Sequence, residues 1–81
     1  MQQAEVLAVI GDIIRDMADD DTLDITAATT AQDVDDWDSM FHVRLMIELE
    51  RKFSIRFETS KINAAKNVGE LAGQVIEKLA A

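Results

Sequence analysis

Cysteine, proline and tyrosine are absent from this 81-residue sequence, and glycine occurs three times. Without cysteine there is no disulfide scaffold and no Cys-based zinc site. With no proline and little glycine, no stretch has linker composition, and no low-complexity tract or internal repeat interrupts the chain. No apolar run approaches the length of a membrane span. Bases are scarce too: eight Lys and Arg stand against sixteen Asp and Glu, a net charge of −8. Such a chain repels the phosphates of nucleic acids and anionic membranes. It suits either plain solubility or partners with basic patches, and charge alone does not separate the two. The opening "MQQAEVLAVIGDIIRDMADD" is acidic where a secretion signal needs a basic start, so the cytoplasm is the expected location.

What is present is enough for one domain, residues 1–81, with one modest core. Four Met, three Phe and one Trp make that core soft and poor in polar aromatic anchors. Val6, Ile10, Ile13, Ile14 and Met17 recur at helical spacing and predict a first helix over residues 3–17. Residues 18–38 break the pattern with Asp and Thr, which favour caps and turns. A loop this long in a small domain is expected to be pinned, here by Leu23, Ile25, Val34 and Trp37. Asp38 is a good N-cap for a second helix from Ser39 to about Phe53. "SIRFETS" reads as a short extended connection and "SKINAA" as one or two helical turns. Asn67 then caps a last helix, with Glu70 at the capping-box position and an apolar face of Val68, Leu71, Val75, Ile76 and Leu79. The expected fold is all-α: a four-helix bundle of three main helices and one short one, with a long loop between the first and second. No sustained period-2 alternation supports strands.

The second helix carries two apolar sets. At about 100° per residue, Leu45, Met46, Leu49 and Phe53 share one face, wide enough to be the core seam. Met40 and Ile47 lie well round from it, with Val43 between, so they are expected at the rim or outside. Glu50 also projects between the sets, and a charge is seldom fully buried without a partner. Arg44 and Arg51 flank Met40 and Ile47, with Glu48 a little further round. A small apolar patch edged by charges is the composition of a docking site. Scattered exposed apolar residues are also normal on soluble proteins, and helical angles alone leave both readings open. His42 points toward the seam, as a partly buried, hydrogen-bonded histidine would.

Three chemistries come into question at the segment "DVDDWDS". Asp33, Asp35, Asp36 and Asp38 crowd like the start of a calcium loop. From Asp33, however, position five is Trp37, position six is Asp38 and position twelve is Arg44, so the EF-hand pattern fails and no metal site is expected. A nucleophilic serine needs a base, an orienting group and an oxyanion hole. The only histidine follows Ser39 by three residues on the same helix, and there is no G-x-S-x-G elbow, so no catalytic residue is expected. Covalent modification is the third. A phosphate ester on Ser39 would face unpaired backbone N–H groups and the positive end of the helix dipole. These residues alone equally allow a serine that merely begins a helix.

"DWDSMFHVRLMIELERKFSIRF" resembles the segment around the modified serine of acyl carrier proteins. Asp38-Ser39-Met40 stands where that family has Asp-Ser-Leu. Leu49-Glu50-Arg51-Lys52-Phe53 and Ile55 match the family's Leu-Glu-x-x-Phe pattern and the short Ile-containing extended piece after it. The likeness extends over essentially the whole chain, through helix order, acidity and the ending "KNVGELAGQVIEKL". It implies an acyl-carrier-like fold and a carrier that catalyses nothing itself. Ser39 would receive 4′-phosphopantetheine from coenzyme A, attached by a phosphopantetheinyl transferase that uses Mg²⁺. Asp38 would help that transferase recognise the serine. The arm's thiol would carry an acyl group as a thioester to acyl-activating or acyl-transferring enzymes of fatty-acid, polyketide or other specialised biosynthesis. Met40, Val43, Arg44, Ile47, Glu48 and Arg51 would meet those partners. A monomer is the default expectation for a small, charged, transiently docking protein. Part of the cargo is expected inside the bundle, beside soft residues such as Met46 and Phe53.

The sequence departs from the family in two respects. Met40 replaces the usual leucine, a near-isosteric change. Arg44 sits where carriers of fatty-acid synthesis have an acid, and His42 and Arg51 dilute the negative charge further. Basic partner patches would lose attraction there, which implies a specialised, stand-alone carrier. Two alternatives stand beside it. One is an aminoacyl carrier, of the peptidyl or D-alanyl kind; Asp38 before the serine leans away from the peptidyl type, which often has His there. The other is a helical interaction module that never takes the arm.

Overall fold

The computed structural model describes residues 2–57 and 65–80. They form helix α1 (Gln3–Ala18), a 3₁₀ turn (Ala31–Asp33), helix α2 (Ser39–Phe53) and helix α3 (Val68–Ala80). There is no strand among the described residues. The all-α expectation holds, and each of the three main helices begins where its sequence signals put it. The short helix expected over residues 60–65 lies outside the described residues, apart from Ala65.

Helix α1 buries Val6, Ile10 and Ile14, residues four apart on one stripe. It packs on both other helices. Its last turn closes through Asp19, which takes left-handed backbone angles, φ 53°. Asp is among the few side chains that tolerate this conformation without glycine. Helix α2 contributes Leu45, Met46 and Leu49, the expected seam, with Phe53 half-buried against it. Helix α3 contributes Val68, Leu71, Ala72 and Val75, while Leu79 is exposed at the C-terminal end. Two core residues carried no periodic signal, Phe41 and Phe57. Phe41 lies at the edge of the α2 seam, and Phe57 sits beyond the helix in the extended connection.

The connection between α1 and α2 is pinned as expected. Val34 is buried, and Leu23, Ile25 and Trp37 pack against the core from outside. Polar contacts fix the backbone between these anchors. Arg15 Nε donates to the Leu23 carbonyl (2.8 Å), tying the loop to α1. The Thr22 hydroxyl and its N–H donate to Asp20, which holds that carboxyl below the usual carboxylate range. Thr29, the one buried polar residue among those described, accepts from the Thr26 N–H (2.8 Å).

The loop then docks on α3. A helix leaves its first N–H groups without intrahelical partners. Here Val68 N–H donates to the Thr29 carbonyl and Gly69 N–H to the Ala27 carbonyl, both at 2.8 Å. Asn67 Oδ1 takes the third donor, Glu70 N–H, at 2.8 Å, so the expected cap is present. The approach at Gly69 is close. A Cβ there would lie 2.9 Å from the Ala27 carbonyl oxygen and 3.0 Å from its Cβ.

The docked loop and the α2 cap can each be tested by substitution. Ala normally stabilises a helix over Gly by about 1 kcal/mol. Gly73, with nothing within 4 Å of an added Cβ, should obey: Gly73→Ala raises the denaturant midpoint. Gly69→Ala should lower it, because the loop backbone must retreat, at a cost of about 1–3 kcal/mol. Asp38→Ala should cost about 1 kcal/mol through loss of the α2 cap, and Asp38→Asn much less. Chemical denaturation monitored by circular dichroism measures all four; equal midpoints for Gly69→Ala and Gly73→Ala would overturn the account of the docked loop.

Candidate functional site

Ser39 is the first residue of α2 and is exposed. Its position is set from both sides. Asp38 holds extended angles, and its Oδ1 accepts from Phe41 N–H (2.9 Å). Its carbonyl accepts the first intrahelical bond, from His42 N–H (2.9 Å). The expected N-cap is therefore made. With Asp38 engaged at Phe41, Ser39 stands exposed at the positive end of the helix dipole.

One residue earlier, Trp37 reaches over the cap. Its Nε1–H donates to His42 Nδ1 (3.2 Å), and the two rings stack at 6.1 Å between centroids. Trp37 also meets Phe41 at 5.8 Å. Since Nδ1 accepts, a neutral imidazole keeps its proton on Nε2. His42 is half-buried and hydrogen-bonded, as the sequence led one to expect. The sequence carries a signal for this pairing. Trp37 and His42 occupy the positions immediately before the cap and on the fourth residue of the helix, where a hydrophobic staple forms. Here the staple carries a hydrogen bond as well.

Trp37 and His42 wall an open hollow of about 290 Å³ beside Ser39, completed by Ala31 and Asp38. The same Ala31, Trp37 and His42 border a smaller space of about 60 Å³ behind it, which reaches Asn67 and Leu71 at the start of α3. Met46 and Phe53, the soft residues expected beside cargo inside the bundle, lie elsewhere. Met46 is fully packed in the core and Phe53 lies at the far end of α2, and neither borders the hollows near Ser39. The reason is distance along the helix: Phe53 is fourteen residues on from Ser39, about 21 Å at about 1.5 Å per residue.

The acids before Ser39 do different things. Asp33 Oδ2 accepts from the Thr30 N–H (2.9 Å) and hydroxyl (3.2 Å), bracing the 3₁₀ turn. Asp38 is the cap. Asp35 and Asp36 are exposed. Two of the four acids thus serve the backbone, which is the physical reason for Asp at those places.

Away from the core, α2 presents Met40, Val43 and Ile47 at 76%, 54% and 47% exposure. Arg44, Glu48 and Arg51 are exposed on the same side, and Glu48 meets Arg51 at 3.8 Å. The structure thus brings together all six residues expected to form an outer patch. Glu50 behaves otherwise. It turns in, and its Oε2 accepts from Phe57 N–H (2.9 Å), which supplies the partner that its half-burial needs.

Comparison with models of known protein families finds no match, and comparison with curated proteins finds none either. Among solved structures, the chain is similar to a holo acyl carrier protein from Geobacter metallireducens, determined by solution NMR. The two share 40% identity and superpose with a TM-score of 0.85, over 93% of this chain and 86% of the other. With that identity sustained across nearly the whole of both chains and the same helical frame beneath it, this chain belongs to the acyl carrier protein family.

Proposed function

We propose that this carrier bears 4′-phosphopantetheine on Ser39 and delivers acyl groups, held as thioesters on that arm, to partner enzymes. The observation that carries the reading is the place of Ser39. It is exposed, it opens α2, and the carboxylate before it is committed to the helix cap. A phosphodiester there would meet the positive end of the helix dipole. The neighbour of similar structure is a holo carrier, which supports an arm of this kind. The hollow lined by Trp37 and His42 beside Ser39 offers the near end of the arm a partly apolar bed. No cysteine is required in the chain, because the working thiol belongs to the arm.

Asp38 is the residue we assign to recognition by the phosphopantetheinyl transferase, which takes the arm from coenzyme A with Mg²⁺. Transfer joins the Ser39 oxygen to the phosphorus of the arm, and the nucleotide portion of coenzyme A leaves. Met40, Val43, Arg44, Ile47, Glu48 and Arg51 form the surface on which acyl-activating and acyl-transferring enzymes dock. Arg44 points to a dedicated pathway rather than general fatty-acid synthesis.

Intact mass after incubation with coenzyme A, Mg²⁺ and a broad-specificity transferase tests the attachment. The expected result is a gain of one phosphopantetheine that Ser39→Ala abolishes. A gain that persists in Ser39→Ala would move the site elsewhere; no gain in folded, initially unmodified protein would reject the carrier reading. Partner choice is tested separately. Arg44→Glu should raise the acylation rate with enzymes of general fatty-acid synthesis, and an unchanged rate would remove the case for a dedicated pathway.

A further inference from the structure

The net charge of the chain and the charge of its docking face have opposite signs. Eleven of the sixteen acids precede Ser39, against a single base, Arg15. Arg15 is itself engaged with Asp12 (3.0 Å) and with the Leu23 carbonyl. Helix α2 is built differently. Of its two acids, Glu50 is turned inward to the Phe57 N–H, so only Glu48 remains on the outer surface, and Arg51 meets it. Arg44 and Lys52 are exposed and make no ion pair with described residues. Lys52 lies round toward α1, in a groove with Asp12 and Asp16, so the outer surface of α2 carries two bases, Arg44 and Arg51, and one acid, Glu48.

Their placement relative to the apolar patch matters more than their number. At about 100° per residue, Met40, Arg44, Ile47 and Arg51 fall within one narrow stripe, with Val43 beside it. Apolar and guanidinium groups alternate along it from beside Ser39 to a point about 16 Å along the axis, at about 1.5 Å per residue. Most of the acids that dominate the molecule lie off this stripe, in α1 and the long loop; Asp12 and Asp16 of α1 come nearest, sharing a groove with Arg51 at its far end, and Arg44 stands clear of them. A partner with a basic rim meets like charge there, and a partner with an acidic rim meets its complement.

We infer that the outer face of α2 docks an enzyme whose contact surface is an apolar socket rimmed by carboxylates. Met40, Val43 and Ile47 enter the socket, and Arg44 and Arg51 each take a carboxylate at its edge, a geometry that guanidinium suits better than ammonium. The acidic loop before Ser39 then repels such a partner unless it approaches along the stripe. That orients the partner's active site toward the arm. This inference rests on the carrier reading proposed above.

The test uses two amphipathic helical peptides with the same leucine face, one rimmed by glutamates and one by lysines. Each is titrated into the isotope-labelled chain after loading of the arm has been verified by mass, and backbone amide shifts are monitored. Failure to load rejects the carrier reading; the titrations on loaded protein judge only the inference. The glutamate peptide should move the amides of residues 40–51, and raising the salt should weaken it. Arg44→Glu combined with Arg51→Glu should weaken it about ten-fold, the loss of two exposed charge pairs. Arg44→Gln with Arg51→Gln, which adds no repulsion, should give a smaller loss. Both pairs lie on the exposed surface, and circular dichroism checks their fold. The inference is overturned by any of three results: the lysine peptide occupying the stripe of the unaltered chain, no stripe shifts with the glutamate peptide, or stripe amides that move with protein concentration alone, which makes the occupant a second copy.

Discussion

The contact on which the rest depends is the pair of hydrogen bonds from the first two N–H groups of α3 to the carbonyls of Thr29 and Ala27. A helix end needs acceptors, and a long loop needs somewhere to rest; each supplies what the other lacks. Once residues 27–29 sit on α3, the remainder of the loop is short enough to be directed. Val34 enters the core, Trp37 folds over the cap, and Asp38 is delivered to the start of α2. The presentation of Ser39 is the last link of that series. Gly69 is where the arrangement is least forgiving, because the two backbones leave no room for a Cβ.

The same economy governs the charges. Several acids are bound to backbone duties: Asp38 at the α2 cap, Asp33 at the 3₁₀ turn, Glu50 at the Phe57 N–H. The charge that meets other molecules is unevenly spread. Around α1 and the loop it is strongly negative. On α2 the inward turn of Glu50 leaves an arginine-bearing apolar stripe beside the arm's proposed site. A carrier must be released as readily as it is bound, and exposed charge pairs give orientation and fast encounter with little added affinity.

Much of this architecture is legible in the chain itself. The three main helices come from spacing and caps, since a helix's periodicity and its N-terminal acceptors are both local properties. Asp38 as cap, Ser39 as first helical residue, Asn67 as the α3 cap and the exposure of Met40, Val43 and Ile47 needed only that local geometry. The loop anchors Leu23, Ile25, Val34 and Trp37 were legible as the sole large apolar groups able to hold a polar stretch. Family resemblance, carried by Asp38-Ser39-Met40 and Leu49 to Ile55, then linked that geometry to a carrier.

Other features had no local pattern to betray them. Phe41 and Phe57 are buried because of what packs over them, and the half-burial of Glu50 depends on a donor seven residues on in an extended segment. A hollow beside Ser39 is lined by Trp37 and His42, and a smaller space that shares both residues reaches the start of α3, a meeting of elements that no single helix foretells. Above all, the bonds between residues 27–29 and 68–69 join segments some forty positions apart through backbone atoms, which every residue has. Local order in the chain was enough to say which segments coil, where each helix starts and which side chains can face outward. Which backbone groups meet was left to the assembled fold, because N–H and C=O groups are nearly the same at every position and only packing chooses between them.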